Sequence, residues 1–298
     1  MMAKISVVIN TLNEEKNIER VLKNIKWADE VVVCDMHSQD KTAQIAKMAG
    51  AKVFFHKKED YVEKARNFAI SKASSDWVLV LDPDEELPES LIDRLKNIPE
   101  KFTQIDYVRL PRKNIIFGKW MKASGWWPDL NVRFFRKGKV EWAEKIHRPP
   151  KVEGSGIDLL ADEQFAIIHH HYQSIVQFLD RMIRYTGVQA DELRKDGYKF
   201  EWRDLIKKPL GEFLSRFFAN RGFEDGLHGL ALGLLQAFSQ LVMYLKVWEM
   251  ERFEEKKISI DELKLLKEGS GKEINWWFNS ISKAGFKGFL KNIKEKFH

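Results

Sequence analysis

The sequence predicts an α/β fold in which a mostly parallel sheet is covered by helices on both faces. Two observations lead to this prediction. Short runs of β-branched and other apolar residues recur through the first third of the chain, and each of the first three is followed by a helical pattern. Strands that alternate with helices form parallel sheets, and strands buried on both faces are apolar at nearly every position.

Four strands are predicted at residues 4–10, 29–35, 51–57 and 76–82. The intervening helical patterns lie at residues 14–25, 41–50 and 61–73. In a parallel sheet of this kind, ligands bind outside the carboxyl ends of the strands. The polar loops that follow the four strands are therefore expected to line one crevice.

Length and composition exclude several classes of protein. The 298 residues, 44% of them hydrophobic, are enough to bury a full core. The single cysteine, Cys34, excludes an internal disulfide framework, and the first ten residues lack the features of a signal peptide, so a cytoplasmic location is expected. A net charge of +6 favours an anionic partner. The phosphate-binding patterns GxGxxG and GxxxxGK[ST] are missing, which argues against a dinucleotide dehydrogenase or a P-loop NTPase.

Carboxylates follow the fourth predicted strand directly, in the stretch VLVLDPDEELP at residues 78–88. Asp82 and Asp84 are one residue apart at the strand end, where two carboxylates could bind Mg²⁺ or Mn²⁺ bridged to a diphosphate. The pattern Asp-x-Asp also arises by chance, so its position at the strand end carries the argument. The alternative is a helix N-cap and a solvated turn whose glutamates interact with the helix dipole.

Four motifs in the first half carry a resemblance to a known family. They are VVINTLNEEKNI, VVVCDMHSQDKT, KARNFA and VLVLDPDEEL, in this order and spacing. The chain resembles the family 2 glycosyltransferases, which have the GT-A fold. Later stretches, among them GWWPDLNVRFFRKG and PLGEFLSRFFANRGFEDGLHGLALG, are similar to the branch that contains the lipopolysaccharide-core β-1,4-glucosyltransferases. The resemblance extends to about residue 250.

The resemblance implies roles in binding a nucleotide sugar. Thr11, Asn13 and Glu14 match the loop that lines the nucleoside pocket. Asp35 matches the acid that accepts a hydrogen bond from the uracil imide, and Arg66 matches a basic position over the base or the diphosphate. Taken alone, Asp35 would be interpreted as a turn residue and Arg66 as a surface charge.

The same resemblance implies a metal site. Asp82 matches the ribose-facing acid and Asp84 the ligand of a Mg²⁺ or Mn²⁺ cofactor. His169 matches a late histidine that completes the metal or diphosphate site, although a core or acceptor-pocket histidine is the alternative. Alternation along a strand would place His169 and His171 on one face and His170 on the other.

Inversion, which the resemblance also implies, requires a general base on the acceptor hydroxyl. Asp129 is the first candidate, and Glu144 and His147 are the alternatives. In many relatives a glutamate directly follows the histidine, whereas Arg148 occupies that position in this chain, so the assignment stays open.

Three further residues are candidates for the acceptor side. Arg133 and Arg136 could neutralise an acceptor phosphate or pair with acids on the sheet. Trp127 could stack on a sugar ring or pack in the core.

The last third of the chain is predicted to be helical, which divides the protein into a catalytic domain at 1–172 and a C-terminal region at 173–298. Residues 226–248 are long enough to span a bilayer, but polar residues interrupt them. Basic and aromatic flanks favour a helix that lies in the headgroup region of an anionic membrane, and a core-buried helix is the alternative. The extension ends in a basic amphipathic segment.

The predicted function is that of an inverting, metal-dependent glycosyltransferase. It would move a sugar, expected to be glucose, from a UDP-sugar to a lipid-linked or envelope saccharide at the inner face of the cell membrane, with no nucleic-acid partner. One alternative is a phosphotransferase that uses the acid cluster, although DPDEE lacks the threonine or valine of such loops. The other is a basic membrane- or RNA-binding protein on a degenerate GT-A scaffold.

Overall fold

The computed structural model describes residues 3–59, 62–143 and 149–296, with side chains described as far as residue 279. The chain divides into two compact units. The first contains Met1–Trp120 and Trp126–Gln173, and the second contains Met121–Gly125 and Ser174–His298. The sequence patterns do not indicate that residues 121–125 fold with the second unit.

Strands and helices alternate at the start of the first unit, and long helices make up most of the second. The strands are β1 Ile5–Thr11, β2 Glu30–Asp35, β3 Lys52–Phe55, β4 Trp77–Leu81, β5 Glu85–Glu86, β6 Tyr107–Leu110, β7 Arg112–Ile116, β8 Lys119–Trp120, β9 Asn131–Arg136, β10 Val140–Glu141, β11 Lys151–Val152, β12 Gly156–Asp158 and β13 Ile167–Tyr172. The helices are α1 Ile18–Asn24, α2 Thr42–Met48, α3 Glu63–Ser71, α4 Glu89–Lys101, α5 Ile175–Lys195, α6 Asp204–Leu214, α7 Leu227–Met250 and α8 Ile260–Lys296.

A seven-stranded sheet forms the centre of the first unit, in the order β12-β6-β9-β4-β1-β2-β3. Strands β4, β1, β2 and β3 are parallel to one another, and β9 runs antiparallel to β4 and β6. The prediction of an α/β fold with a mostly parallel sheet is confirmed. The four predicted strands are observed, with each end within two residues of its predicted position.

The core lies on both faces of this sheet, because successive side chains of a strand point to opposite faces. Ile5, Val7 and Ile9 of β1 belong to a cluster that includes apolar residues of α1 and α4. Val8, between them, belongs to the second cluster with Ile70 of α3. Burial on both faces explains why the strand is apolar at nearly every position.

A four-stranded sheet, in the order β5-β13-β7-β8, follows the large sheet in the first unit. Its two central strands, β13 and β7, run parallel, and β5 pairs antiparallel with β13. The connection from the large sheet is short, because β5 begins three residues after Asp82, which directly follows β4. The four-stranded sheet thereby connects the acid cluster with the histidines of β13.

The second unit is helical, and α7 packs on both α5 and α6. Its apolar cluster includes Ala190 of α5 together with Met243, Tyr244 and Val247 of α7. Helix α7 is the one described helix that is long and apolar enough to cross a membrane, and 28% of its most apolar 18-residue window is buried.

Hydrogen bonds from its backbone N–H groups hold the segment 121–125 in the second unit. The N–H groups of Lys122 and Ala123 donate to the Asp225 carboxylate at 3.1 and 2.8 Å. The N–H of Ser124 donates to the carbonyl of Asn220 at 2.7 Å. A carboxylate that accepts two backbone N–H groups fixes the path of a short segment that has no strand neighbour of its own.

Candidate active site

The loops after β1 and β2 meet around Asp35. Thr11 and Asp35 are partners in the parallel register and are each the last residue of their strand. The Asp35 carboxylate is fully buried and accepts hydrogen bonds from the hydroxyls of Thr11 and Ser38 at 3.0 and 2.6 Å and from the Ser38 backbone N–H at 2.8 Å. Three of its roughly four acceptor positions are therefore used.

Asn13 and Glu14 join the same two loops. Asn13 has a φ of +57°, a conformation that asparagine tolerates better than most residues. Its N–H donates to the Ser38 hydroxyl, and its side-chain oxygen accepts from the N–H of Gln39, both at 2.8 Å. The N–H of Glu14 donates to the Thr42 hydroxyl at 2.8 Å. These bonds fix the loop that the resemblance assigns to the nucleoside pocket.

Asp82 lies directly after β4, between two arginines. Its carboxylate accepts from Arg66 at 2.7 Å and from Arg133 at 2.8 Å, one guanidinium on each oxygen. Burial alone would raise the pKa of Asp82, but the guanidinium groups of Arg133 and Arg66 outweigh burial and hold this pKa well below its ordinary value. Asp82 is therefore ionised throughout the physiological pH range.

Glu85 connects Asp82 with the four-stranded sheet. Its side chain is fully buried; one oxygen accepts from the Asp82 backbone N–H at 2.9 Å, and the other lies 3.1 Å from Arg133 and 3.5 Å from Arg112. Burial alone would lower the pKa of Arg133, but the carboxylates of Asp82 and Glu85 outweigh burial and raise it. Because an uncompensated buried charge is very costly, each of these ions requires the others.

Asp129 ends this series of charges. Its Oδ2 accepts from Nε and Nη2 of Arg112 at 2.8 and 2.7 Å and from Asn114 at 2.9 Å, whereas Oδ1 accepts from Asn131 at 3.1 Å. Burial alone would raise the pKa of Asp129, but Arg112 and the two amides outweigh burial and lower this pKa. We call the alternating series Asp82, Arg133, Glu85, Arg112 and Asp129 the acid–arginine chain.

Asp84 and His169 face each other across β5 and β13. Asp84 is 5% exposed and His169 is 4% exposed, and Asp84 Oδ1 lies 3.6 Å from His169 Nε2. His171 Nδ1 lies 3.1 Å from the same nitrogen, and His170 contacts Glu86 at 3.1 Å. The predicted alternation, with His169 and His171 on one face and His170 on the other, is confirmed.

Two of the predicted acceptor residues have other contacts. Arg136 pairs in register with Trp77, the first residue of β4, and thus lies at the edge of the sheet opposite to Asp82. Its guanidinium donates to the carbonyls of Thr103 and Ile105 at 3.1 and 3.0 Å. We therefore correct its assignment to an acceptor phosphate. Arg133 is buried in the acid–arginine chain, which matches the alternative that it pairs with acids of the sheet.

The remaining candidates are Trp127, Glu144 and His147. Trp127 is half-buried and its ring makes an edge contact with Trp120, with the ring centroids 5.2 Å apart. Glu144 and His147 lie outside the described residues. Asp129 is thus the one candidate for the general base whose surroundings the structure describes.

Comparison with known proteins places this site in a family. The sequence model described as glycosyl transferase family 2 matches residues 6–151. A Rickettsia typhi protein named uncharacterized glycosyltransferase is 33% identical over 258 residues, which cover 84% of this chain and 88% of that protein. The chain belongs to glycosyl transferase family 2.

Two further proteins are similar to this family 2 glycosyltransferase. A lipopolysaccharide core biosynthesis glycosyltransferase of Rhizobium meliloti is 23% identical over 255 residues, which cover 82% of this chain and 92% of that protein. Among solved structures, glucosyl-3-phosphoglycerate synthase from Mycobacterium tuberculosis, in complex with Mn²⁺, UDP-glucose and phosphoglyceric acid, is 28% identical over 36% of this chain and 43% of that chain, with a TM-score of 0.33.

The candidate metal ligands of this family 2 glycosyltransferase fit a cation that also binds a substrate. Within the described ranges, no group of three or more histidine, cysteine, aspartate or glutamate side chains could hold a metal ion. Asp84 and His169 supply one carboxylate and one imidazole. Mg²⁺ commonly takes one or two carboxylates and completes its shell with water and substrate phosphates, so a two-residue set suits such an ion.

Three residues of the site are not found from the sequence alone: Glu85, Arg112 and Asn114. Glu85 belongs to the acid cluster, but the sequence gives no sign that it is buried. Arg112 and Asn114 lie two residues apart on one face of β7 and outside the four motifs that carry the family resemblance. Alternation does not mark them, because Lys113 between them is also polar and β7 begins with three polar residues in a row.

Proposed function

We propose that this family 2 glycosyltransferase transfers a sugar, expected to be glucose, from a UDP-sugar to a saccharide hydroxyl with inversion. The observation that carries the proposal is the continuous network of charges at the carboxyl edge of the sheet, whose centre, Arg133 and Glu85, is buried. The acid–arginine chain runs from Asp82 to Asp129, and Asp84 lies beside it with His169. Such a network holds charged groups at fixed positions where a charged donor binds.

The loop after β2 supports a uracil base as part of the donor. Asp35 has one acceptor position left after its bonds to Thr11 and Ser38. The imide N–H of uracil can donate to this position, and adenine, which has no imide, cannot. The hydroxyls and backbone N–H that hold Asp35 orient its carboxylate before the base arrives.

Two arginines near Asp82 support binding of the diphosphate. Arg66 Nε and Arg133 Nη1 are buried and make no hydrogen bond within the part of the chain that the structure describes. Buried donors are normally satisfied, and guanidinium groups suit phosphate oxygens. Small shifts of these two side chains toward a bound diphosphate would give both donors an acceptor.

A Mg²⁺ or Mn²⁺ ion held by Asp84 and His169 would supply positive charge that stabilises the leaving diphosphate. The protein backbone holds these two residues in place where the chain before β5 contacts β13. The backbone N–H of His170 donates to the Asp84 carbonyl at 2.9 Å. His169 lies within β13, so its ring position is set by the strand register.

Asp129 is proposed as the general base. Its Oδ2 is occupied by Arg112 and Asn114, so Oδ1 is the oxygen that accepts the proton of the acceptor hydroxyl. As that proton moves to Oδ1, the acceptor oxygen forms a bond to the anomeric carbon on the face opposite to the diphosphate. The bond from the carbon to the diphosphate breaks, and its electron pair leaves with the diphosphate oxygen. Glu144 and His147 remain the alternatives.

The donor proposal is tested by calorimetric titration with UDP, with and without Mn²⁺, and with ADP and GDP for comparison. Of the three nucleotides, we expect only UDP to bind, and we expect its affinity to be higher in the presence of Mn²⁺. Asp35→Asn should weaken UDP about ten- to hundredfold, because hydrogen bonds to charged groups contribute about 1.5–3 kcal/mol. Asp29→Asn is the matched control, since Asp29 accepts from the Ile5 N–H at the opposite end of β1. Equal affinity for all three nucleotides would refute the donor assignment.

The acceptor is proposed to be a lipid-linked or envelope saccharide at the inner face of the cell membrane. Helix α7 exposes Leu227, Leu234 and Phe238, which are 77%, 53% and 46% exposed. Spacings of seven and four residues place all three on one side of a helix, which suits a surface that dips into the headgroup region. The lipopolysaccharide role in the name of the Rhizobium meliloti relative agrees with such an acceptor.

Flotation with vesicles that contain anionic phospholipid tests the membrane proposal. We expect the protein to float with the vesicles and a variant carrying Leu234→Gln and Phe238→Gln to stay behind, because both substitutions remove apolar area from the exposed side of α7. Leu160→Gln, at a position of the first unit that is 67% exposed, controls for the general loss of surface hydrophobicity. Equal flotation of all three proteins would contradict the proposed role of α7.

A further inference from the structure

Asn114 lies at the junction between the candidate base and the candidate metal ligands. It is fully buried in β7, and the parallel register places it opposite His169 of β13. Its amide nitrogen donates to Asp129 Oδ2 and to the Trp126 carbonyl, both at 2.9 Å. Its amide oxygen lies 2.7 Å from His169 Nδ1. One side chain therefore contacts both halves of the site.

The chemistry of these partners fixes the orientation of the amide. Asp129 Oδ2 is an ionised carboxylate oxygen and the Trp126 oxygen is a carbonyl, so both can only accept. Turning the amide over would place its oxygen against these two acceptors at 2.9 Å and its NH₂ group against the imidazole. Only the observed orientation satisfies every atom, and it leaves Asn114 Oδ1 facing His169.

The orientation of the amide in turn fixes the tautomer of His169. An amide oxygen only accepts, so Nδ1 of His169 must carry the proton. In the neutral ring the lone pair is then on Nε2, the atom that lies 3.6 Å from Asp84 Oδ1 and 3.1 Å from His171 Nδ1. This is the form of imidazole that can bind a cation beside Asp84.

We propose that Asn114 is a positioning residue that sets both functional halves of the site at once. It holds Oδ2 of Asp129, so that Oδ1 is presented to the acceptor, and it keeps His169 in the Nδ1–H tautomer with Nε2 directed toward Asp84. The proposal rests on the proposed function for its catalytic consequence, but the tautomer of His169 can be observed in the protein without substrate.

The first test is a nitrogen-15 spectrum of the imidazole rings in the unaltered, histidine-labelled protein near neutral pH, with the His169 signal assigned by its loss in His169→Gln. We expect His169 as the Nδ1–H tautomer. Observation of the Nε2–H tautomer would overturn the proposal. Because this measurement needs neither a donor nor turnover, its outcome does not depend on whether the protein is a UDP-sugar transferase.

The second test uses Asn114→Leu, which keeps the size of the side chain and removes all three hydrogen bonds. We expect loss of the single His169 tautomer and a fall in Mn²⁺ affinity of about ten- to hundredfold, as for other residues that orient metal ligands. With donor and acceptor present, kcat should fall, while the KM for the donor should change less. Unaltered Mn²⁺ affinity and an unaltered tautomer in a folded variant would contradict the proposal.

Asn24→Leu is the matched control. Asn24 also makes two hydrogen bonds, to the backbone N–H and carbonyl of Leu87 at 2.7 and 2.9 Å, and contacts neither Asp129 nor His169. We expect this variant to lose stability without any change in the His169 tautomer or in Mn²⁺ affinity. If Asn24→Leu changed both readouts as strongly as Asn114→Leu does, the effects of Asn114 would be structural only.

Discussion

Asp129→Asn is expected to reduce sugar transfer by about 10²–10⁴-fold, the usual contribution of a general base, and to leave the affinity for UDP unchanged. The asparagine keeps the size of the side chain but cannot take the proton of the acceptor hydroxyl. Donor affinity should persist because Asp35, Asp82 and Asp84 are unaltered. Turnover is measured as UDP release from UDP-glucose in the presence of envelope saccharides, and affinity by calorimetry.

Asp158→Asn is the matched control for this substitution. Asp158 forms an exposed ion pair with Arg109 at 2.6 Å, and exposed pairs of this kind contribute little to stability. We expect normal turnover in this variant. Unchanged turnover in Asp129→Asn would move the base to Glu144 or His147.

Asp84→Ala should remove the dependence of UDP affinity on Mn²⁺. The ratio of affinities measured with and without Mn²⁺ should fall to about one, because the carboxylate proposed to join the ion to the protein is lost. Transfer should fall with it, since the leaving diphosphate is no longer stabilised by the ion. Calorimetric titration at several Mn²⁺ concentrations gives the ratio directly, and circular dichroism shows whether the variant is folded.

Glu86→Ala provides the comparison at a neighbouring acid. Glu86 follows two residues later but contacts Arg20 and His170 instead of His169. Its removal should leave the metal dependence of UDP binding intact. A normal metal dependence in Asp84→Ala would remove Asp84 from the metal site and would leave His169 without its proposed partner.

The sequence predicts the large sheet well because the relevant signals are local. Residues 5–11 are fully buried on both faces, and an apolar run bounded by polar loops is all that such a strand requires. The positions of Thr11, Asp35 and Asp82 follow from the parallel register, because parallel strands align their carboxyl ends. For these residues a motif in the sequence is enough to predict the neighbourhood.

The four-stranded sheet is harder to predict because its pairings join distant parts of the chain. Asn114 and His169 are 55 residues apart, and only the pairing of β7 with β13 brings them together. In the sequence, Glu85 resembles a solvated acid, whereas in the structure β5 pairs with β13 and Glu85 is buried. Arg136 illustrates the opposite error: it lies three residues from Arg133, but at about 3.3 Å per residue the strand carries it to the far edge of the sheet.

The acid–arginine chain also constrains how this enzyme can change. Its five charges alternate in sign, so the loss of an inner charge, Arg133, Glu85 or Arg112, leaves its neighbours on both sides without part of their compensation. Substitutions at Glu85 and Arg112 should therefore be strongly non-additive, with the pair removed together costing less than the sum of the single changes. Natural or engineered variation in donor or acceptor preference is easier to obtain at loop positions outside the chain, because a single replacement at one of its three inner positions leaves a neighbouring charge partly uncompensated.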